Sequence, residues 1–414
     1  MTMESGSRRK ALKFGAAAAV GALVGPYVTR SASAAEPIKL GSLLDGTGAL
    51  GIEGRRMIQA TEFAVGQIND HGGLLGRPVK LIAYDTQSSI QLYTQYAQQL
   101  VFQEKVDVIQ GGITSASREA IRPIFDRSKT LFFYNTQYEG GVCDRNVFCT
   151  GTTPAQTVDH IVEYALKNWG KKVYIIAADY NYGHITASWM TKFVKAGGGS
   201  VVSTDFFPLD VTNFSSTISR IQEAKPDMVL SALVGANHVG FYRQWAAAGM
   251  KSKIPVGATA FGLGDELTTM DAATTDGIIT CFGFYNNLGT PNADAFVKGM
   301  QAKYGAGLTD LGELDTATYE GIMLWAEAVK KAGSVEQQKV ISALETGITI
   351  EGPSGTVKMD PATHHTVRNA YLARPKDRVW EILQTFPNQF PSDTGGACDL
   401  IKSPRTNKQF TPQV

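Results

Sequence analysis

From Ile38 onward the chain repeats one unit: a short apolar run, a turn, then a stretch whose apolar residues recur at three and four positions. "IKLGSLLD" leads through the glycine-studded "GTGALGIEG" into a helix carrying Met57, Ala60, Thr61, Ala64 and Ile68 on one face, stopped at "NDHGG". The strand "VKLIAYD", the helix "IQLYTQYAQQLVFQE", the strand "VDVIQGG", the helix "SASREAIRPIFDRS" and the strand "TLFFYN" follow. Such alternation predicts parallel strands covered by helices on both faces, because each helix returns the chain to the starting end of the sheet.

After "CTGTTPAQT" the alternation starts again. The helices "VDHIVEYALKNW", "ITASWMTKFVKA", "FSSTISRIQEA" and "HVGFYRQWAAA" alternate with the strands "KVYIIAA", "SVVSTDFF", "DMVLSALV", "KIPVGA" and "DGIITCFGF". The expected fold is α/β, with two doubly wound parallel-sheet lobes in series. A chain of 414 residues, 43% hydrophobic and 19% charged, is long enough for two cores, and its 43 glycines suit many tight strand-to-helix turns. A helical excess, "TATYEGIMLWAEAVKKAG" and "VEQQKVISALE", precedes the strands "GTVKMD" and "YLARPKDRVWEIL", so the chain is expected to cross back and complete the first lobe.

Residues 1–35 read as an export signal. Arg8 and Arg9 precede an alanine-rich apolar run, and "SASAA" supplies small residues for cleavage near Ala34 or Ala35. The pattern is of the twin-arginine type, with Leu12 and Lys13 in register; a Sec signal with a chance arginine pair leads to the same compartment. Phe14 to Val24 is shorter than the roughly 20 apolar residues that span a bilayer. Removing the signal takes five basic residues and one acid, so the formal charge moves from +1 to −3. A slightly acidic exported chain offers no electrostatic case for nucleic acid or anionic lipid, and no later segment is expected to span a membrane.

The four cysteines suit an oxidising compartment. Cys143 and Cys149, in "GGVCDRNVFCTG", are close enough to close a short disulfide; Cys281 and Cys398 pair only if the tail folds back, and two free buried thiols are the alternative. No zinc-ribbon or redox spacing is present.

In open parallel sheets the ligand crevice lies beyond the carboxyl ends of the strands. "GGITSAS" and "YNTQYEGG" occupy such places in the first half, "ADYNYGH" and "VGANH" in the second. Each joins small residues, hydroxyls or aromatics to a helix start, whose free N–H groups donate to an oxygen acceptor. His184 and His238 read as polar residues of helix starts and not as metal ligands, His364 and His365 as part of a turn between two late strands, and Glu139 as a carboxylate that fixes its own loop.

In order, "GITSASREA", "FFYNTQYEGG", "NVFCTGTTPAQ", "AADYNYGH", "ALVGANHVGFYRQ" and "GPSGTVKM" make the chain resemble, from about Ile38 to Ile382, the type I periplasmic binding proteins of ABC importers, and within them the branch of urea and short-chain amide receptors. The resemblance implies a hinge of three crossovers, with lobe 1 from 36–153 plus 284–348, lobe 2 from 154–283 plus 349–396, and a tail from 397–414. It implicates Ser115, Tyr134, Thr136 and Tyr138 from the first lobe, and Tyr180 and Tyr182 from the second, as ligand-binding residues. Flat aromatic walls with a few convergent polar groups suit a planar neutral amide. Amino-acid receptors of this fold hold the ligand ammonium with an acid shortly before a "YRQ"-like segment; here Asn237 stands near that place, although Asp179, Asp265 or Glu266 could supply charge. The expectation is thus a periplasmic receptor delivering urea or a short amide to a membrane permease, with a branched-chain or other amino acid as the alternative solute. A secreted amide hydrolase is the weaker reading, because Ser115 lacks a nucleophile-elbow context and no P-loop, HExxH or dinucleotide fingerprint is present. No cofactor or metal is expected.

Overall fold

The computed structural model describes residues 36–413; the expected export signal, 1–35, lies outside them. The first half runs β1 (Ile38–Leu44), α1 (Gly51–Asp70), β2 (Val79–Asp85), α2 (Ile90–Gln98), β3 (Val108–Gly111), α3 (Ser115–Ser128), β4 (Leu131–Tyr134), β5 (Val142–Asp144) and β6 (Val147–Cys149). Five of these strands form one parallel sheet in the order β2-β1-β3-β4-β6. The second half continues with α4 (Val158–Asn168), β7 (Lys172–Ala178), α5 (Asn181–Ala196), β8 (Ser200–Phe207), α6 (Ser215–Ala224), β9 (Met228–Ala232), α7 (Ala236–Ala247) and β10 (Val256–Ala258). Its parallel sheet is ordered β10-β9-β7-β8. Two short helical turns, α8 (Glu266–Thr269) and α9 (Ala272–Thr275), lead to β11 (Thr280–Phe282).

The chain then returns. Helices α10 (Pro291–Tyr304), α11 (Glu313–Ala332) and α12 (Gln337–Leu344) precede β12 (Thr349–Gly352), β13 (Gly355–Met359), β14 (Thr366–Lys376), β15 (Val379–Gln389), α13 (Ser392–Gly395) and β16 (Asn407–Gln409). Apolar faces explain the layering. On one face of the first sheet Leu40 and Phe133 meet Ala64 of α1, Trp325 of α11 and Ile341 of α12; on the other, Ile109 and Phe132 meet Tyr93 and Phe125. The second sheet is covered likewise, by α4 and α5 on one face and by α6 and α7 on the other. A fully buried side chain the size of Trp325 or Trp245 contributes roughly 3 kcal/mol each. Val357 and Met359 of β13 enter the first core while β13 also pairs with β14, so this segment belongs to the packing of both lobes.

The lobes are joined where the chain crosses between them, after β6, after β11 and before β14. A buried ionic cluster ties these crossings together. Glu313 of α11 accepts from the backbone of Thr152 at 3.0 Å and of Gly283 at 2.6 Å, and Arg368 donates to Glu320 at 2.8 Å and to the Thr150 carbonyl at 2.6 Å. All three charged side chains are wholly buried. Gly283 leaves the room: a Cβ there would lie 2.7 Å from both Arg368 Nε and Glu313 Oε2.

Two expectations change. "YLARPKDRVWEIL" is not one strand but most of the β14–β15 hairpin, because Asp377 and Arg378 both take left-handed backbone (φ 51° and 63°), the geometry of a tight two-residue turn. The disulfide joins Cys143 to Cys398, with Cα atoms 5.6 Å apart, and both expected pairings, Cys143–Cys149 and Cys281–Cys398, are absent. Neighbouring strands β5 and β6 send their cysteines to different places. Cys149 packs with Phe132 and Tyr138 in the first core, whereas Cys143 meets Leu400 and Phe410 of the tail, which β16 brings alongside β5. Cys281 is buried in the second lobe among Ala370 and Leu372. Among the described residues no helix is long and apolar enough to cross a membrane.

Candidate functional site

The site begins with the turns that end the central strands. At the end of β3, Gly111 and the following Gly112 take positive φ, and a Cβ on Gly111 would lie 2.1 Å from the Leu43 carbonyl, so only glycine turns the chain here. Thr114 then caps α3, its side chain accepting the Ser117 N–H. Across the cleft Tyr180 sits in extended backbone as the residue before α5, and Gly183 lets the helix start against β7, where a Cβ would be 1.8 Å from the Ala178 carbonyl. "ADYNYGH" is thus the end of β7 and the first turn of α5.

These turns enclose a cavity of ≈ 50 Å³ between the lobes. The first lobe supplies Thr114, Ser115, Tyr134 and Thr136, and the second supplies Tyr180 and Tyr182. Leu50, Ile113, Val234, Leu263 and Leu314 make most of the remaining wall apolar. The lobes touch around it. Gln137 donates to the Thr259 carbonyl at 2.7 Å, and the Trp189 indole donates to the Glu139 carbonyl at 3.0 Å. Tyr182 exchanges a hydrogen bond with the Thr259 hydroxyl at 2.7 Å, which fixes its ring as a wall.

Five of the seven residues singled out from sequence come together here, and two do not. Tyr138 stands behind Tyr134, edge to face at 5.4 Å, with its hydroxyl on His365 Nε2. Asn237 accepts from the Val234 N–H at 3.1 Å and donates to the Pro208 carbonyl at 3.3 Å, so its amide shapes its own loop. Asn237 therefore says nothing about the charge of a solute.

Sequence reasoning missed Glu53, which lines the cavity from the first turn of α1. Between glycines in "GIEGRR" it looks like an ordinary acid favouring a helix N-terminus, and only the fold shows it facing the cleft. Burial pushes its carboxyl up, as do Glu266 and Asp265, while His238 pulls the other way. His238 also lines the cavity. Burial alone lowers its pKa, but the Glu266 carboxylate at 2.9 Å reverses this and raises it; the imidazole in turn holds Glu266 below the usual carboxylate range against the effect of burial.

Ser115 donates to Glu139 Oε2 at 2.5 Å. Its only proton is therefore spent inward, and towards the cavity the oxygen offers lone pairs. Beside it the N–H groups of Ser115 and Ala116, at the first turn of α3, have no intrahelical acceptor. The site thus joins donors for an anion to acceptors for an N–H group. It is not a nucleophile: Ser115 is bonded to a carboxylate and not to an imidazole, and among the described residues no three His, Cys, Asp or Glu side chains are grouped to hold a metal.

The family described as "Periplasmic binding protein" matches residues 37–378. The chain belongs to that family. It is an extracytoplasmic solute-binding protein. A Leu/Ile/Val-binding protein homolog 7 of Brucella abortus is 27% identical over 346 residues, 78% of this chain and 85% of the relative. Homolog 6 of Brucella melitensis is 23% identical over 87% of this chain and 94% of its own. Among solved structures, an ABC transporter solute-binding protein of Rhodopseudomonas palustris in complex with benzoate superposes with a TM-score of 0.77, at 25% identity, over 86% of this chain and 97% of that one. Another, from strain BisB5 in complex with 3,4-dihydroxybenzoic acid, gives the same TM-score at 24% identity, over 86% and 99%.

Proposed function

We propose that this protein is the solute receptor of an ABC importer, that it binds a small amino acid with an aliphatic side chain between its lobes, and that it delivers the solute to a membrane permease. The presence of Glu53 in the same cavity as Ser115, the first residue of α3, carries this reading. A buried ammonium needs a carboxylate or costs several kcal/mol, and Glu53 supplies one. A carboxylate suits the start of α3, and the ammonium also finds the lone pairs of Ser115. Tyr134, Tyr180 and Tyr182, with Leu50, Leu263 and Leu314, suit an aliphatic side chain. The similarity to Leu/Ile/Val-binding protein homologs supports the same class.

One observation favours the neutral amide first expected. A cavity of ≈ 50 Å³ admits about four water-sized atoms, the size of urea or acetamide, unless the lobes part slightly around a larger solute. The Glu53→Gln variant separates the two. It removes a charge and keeps the shape, so the affinity for valine or alanine falls by about tenfold or more, while a neutral amide loses little. Equal valine affinity in the variant and the wild type would sink the assignment of Glu53 to the ammonium.

A further inference from the structure

Behind the cavity wall, Glu139 is held from three sides. Its Oε2 accepts from Ser115 at 2.5 Å, and its Oε1 accepts from Arg118 Nη2 at 2.9 Å and from Gln409 Nε2 at 2.5 Å. Gln409 closes the circle, its Oε1 accepting from the same Arg118 nitrogen at 3.0 Å. Arg118 and Glu139 are wholly buried, and Arg118 Nη1 already lacks a partner.

Gln409 comes from the far end of the chain. Strand β16 runs antiparallel to β5, with Gln409 opposite Val142 and Lys408 opposite Cys143, and the Cys143–Cys398 disulfide anchors the segment that leads to it. "YEGG" is shaped for this contact. Gly141 has φ +87°, its carbonyl accepts from the Phe410 N–H at 2.8 Å, and a Cβ on it would lie 1.9 Å from the Phe410 carbonyl. The glycines after Glu139 give the tail its landing place.

We propose that Gln409 is a positioning residue for the solute site: it holds Glu139 between Arg118 and Ser115, and the disulfide holds Gln409. Without its amide, Glu139 loses one of its two Oε1 donors and Arg118 loses an acceptor, on two side chains that are themselves wholly buried. Glu139 then turns toward Arg118, and Ser115 is released to swing its O–H into the cavity, replacing an acceptor of solute N–H by a donor. The inference rests on the reading of Ser115 as a solute-facing acceptor.

The test compares Gln409→Ala with Asn407→Ala in the full exported chain. Asn407 is on the same strand but touches Arg122, not Glu139. The first readout needs no solute: the backbone amide resonances of Ser115 and Ala116. They shift in Gln409→Ala, and they shift when dithiothreitol gives two electrons and two protons to the Cys143–Cys398 bond, leaving two thiols and oxidised reagent. They stay in place in Asn407→Ala. The second readout is valine affinity, which falls about tenfold in Gln409→Ala, and by less than about twofold when the same change is made on Ser115→Ala. Unmoved Ser115 and Ala116 resonances, or valine affinity within about twofold of a wild type that binds it, overturns the proposal. A wild type that ignores valine defeats the amino-acid reading and leaves the amide resonances to decide the role of Gln409.

Discussion

At the scale of single residues, the site depends on which groups are already engaged before a solute arrives. Ser115 donates its O–H to Glu139, Tyr182 is fixed by Thr259, and Asn237 is turned into its own loop. His365 is the most consequential group whose state a solution experiment can read. It is buried, Nδ1 lies 2.7 Å from the Thr363 carbonyl, and Nε2 meets the Tyr138 hydroxyl, so the neutral ring protonated on Nδ1 satisfies both partners. Burial pushes its pKa down from 6.5 to about 3. A depressed histidine contributes stability that is present above about pH 6.5 and lost as pH falls toward the folded value, at about 1.4 kcal/mol per unit, or about 2 kcal/mol by pH 5. The expected outcome is that the His365 ring resonances do not move between about pH 8 and about pH 5; a titration centred near 6.5 would contradict the neutral assignment. Sequence showed "THH" as a turn residue pair, which it is, but not its burial. Burial here comes from Tyr138 and Phe148, both contributed from about two hundred positions earlier and visible only once the strands pack.

At the scale of elements, the strands and long helices of both halves were legible because each buries a face with a simple period, and α3 runs over the very residues "SASREAIRPIFDRS". Short strands were not. β5, β6 and β16 have three residues each, too few to show any period, and they decide the disulfide. Cys143 and Cys149 are near in sequence, yet one faces the tail and the other the core. The bridge closes a separation of 255 residues, so in the chain-entropy account it contributes about 5 kcal/mol. Denaturing alkylation without reductant is expected to label Cys149 and Cys281 alone, and dithiothreitol to lower the unfolding free energy by that amount. Labelling of Cys143 or Cys398, or an unchanged unfolding midpoint, would contradict the pairing. In the folded protein Cys149 stays inert, its thiol pushed up to about 12 by burial.

At the scale of the whole molecule, two covered sheets meet along a cleft, and the charges that join them sit on the crossings. Glu313, Glu320 and Arg368 hold the crossings after β6, after β11 and before β14 in one buried cluster, so bending concentrates in a few backbone positions around it while the lobes stay rigid. In the proposed function the solute acts as the bridge that favours the closed arrangement, through contacts available only when both lobes face it. Doubly wound halves and a returning chain were readable from alternation alone. The charge of the cavity was not, because Glu53 reaches it from a helix start that periodicity treats as ordinary surface. The most direct measurement is calorimetric titration of the exported chain with alanine, valine, leucine, benzoate, 4-hydroxybenzoate, urea and acetamide. Micromolar or tighter binding of an aliphatic amino acid, with urea and acetamide weaker, is the predicted result. Tight binding of urea or acetamide with no response to any amino acid would contradict it.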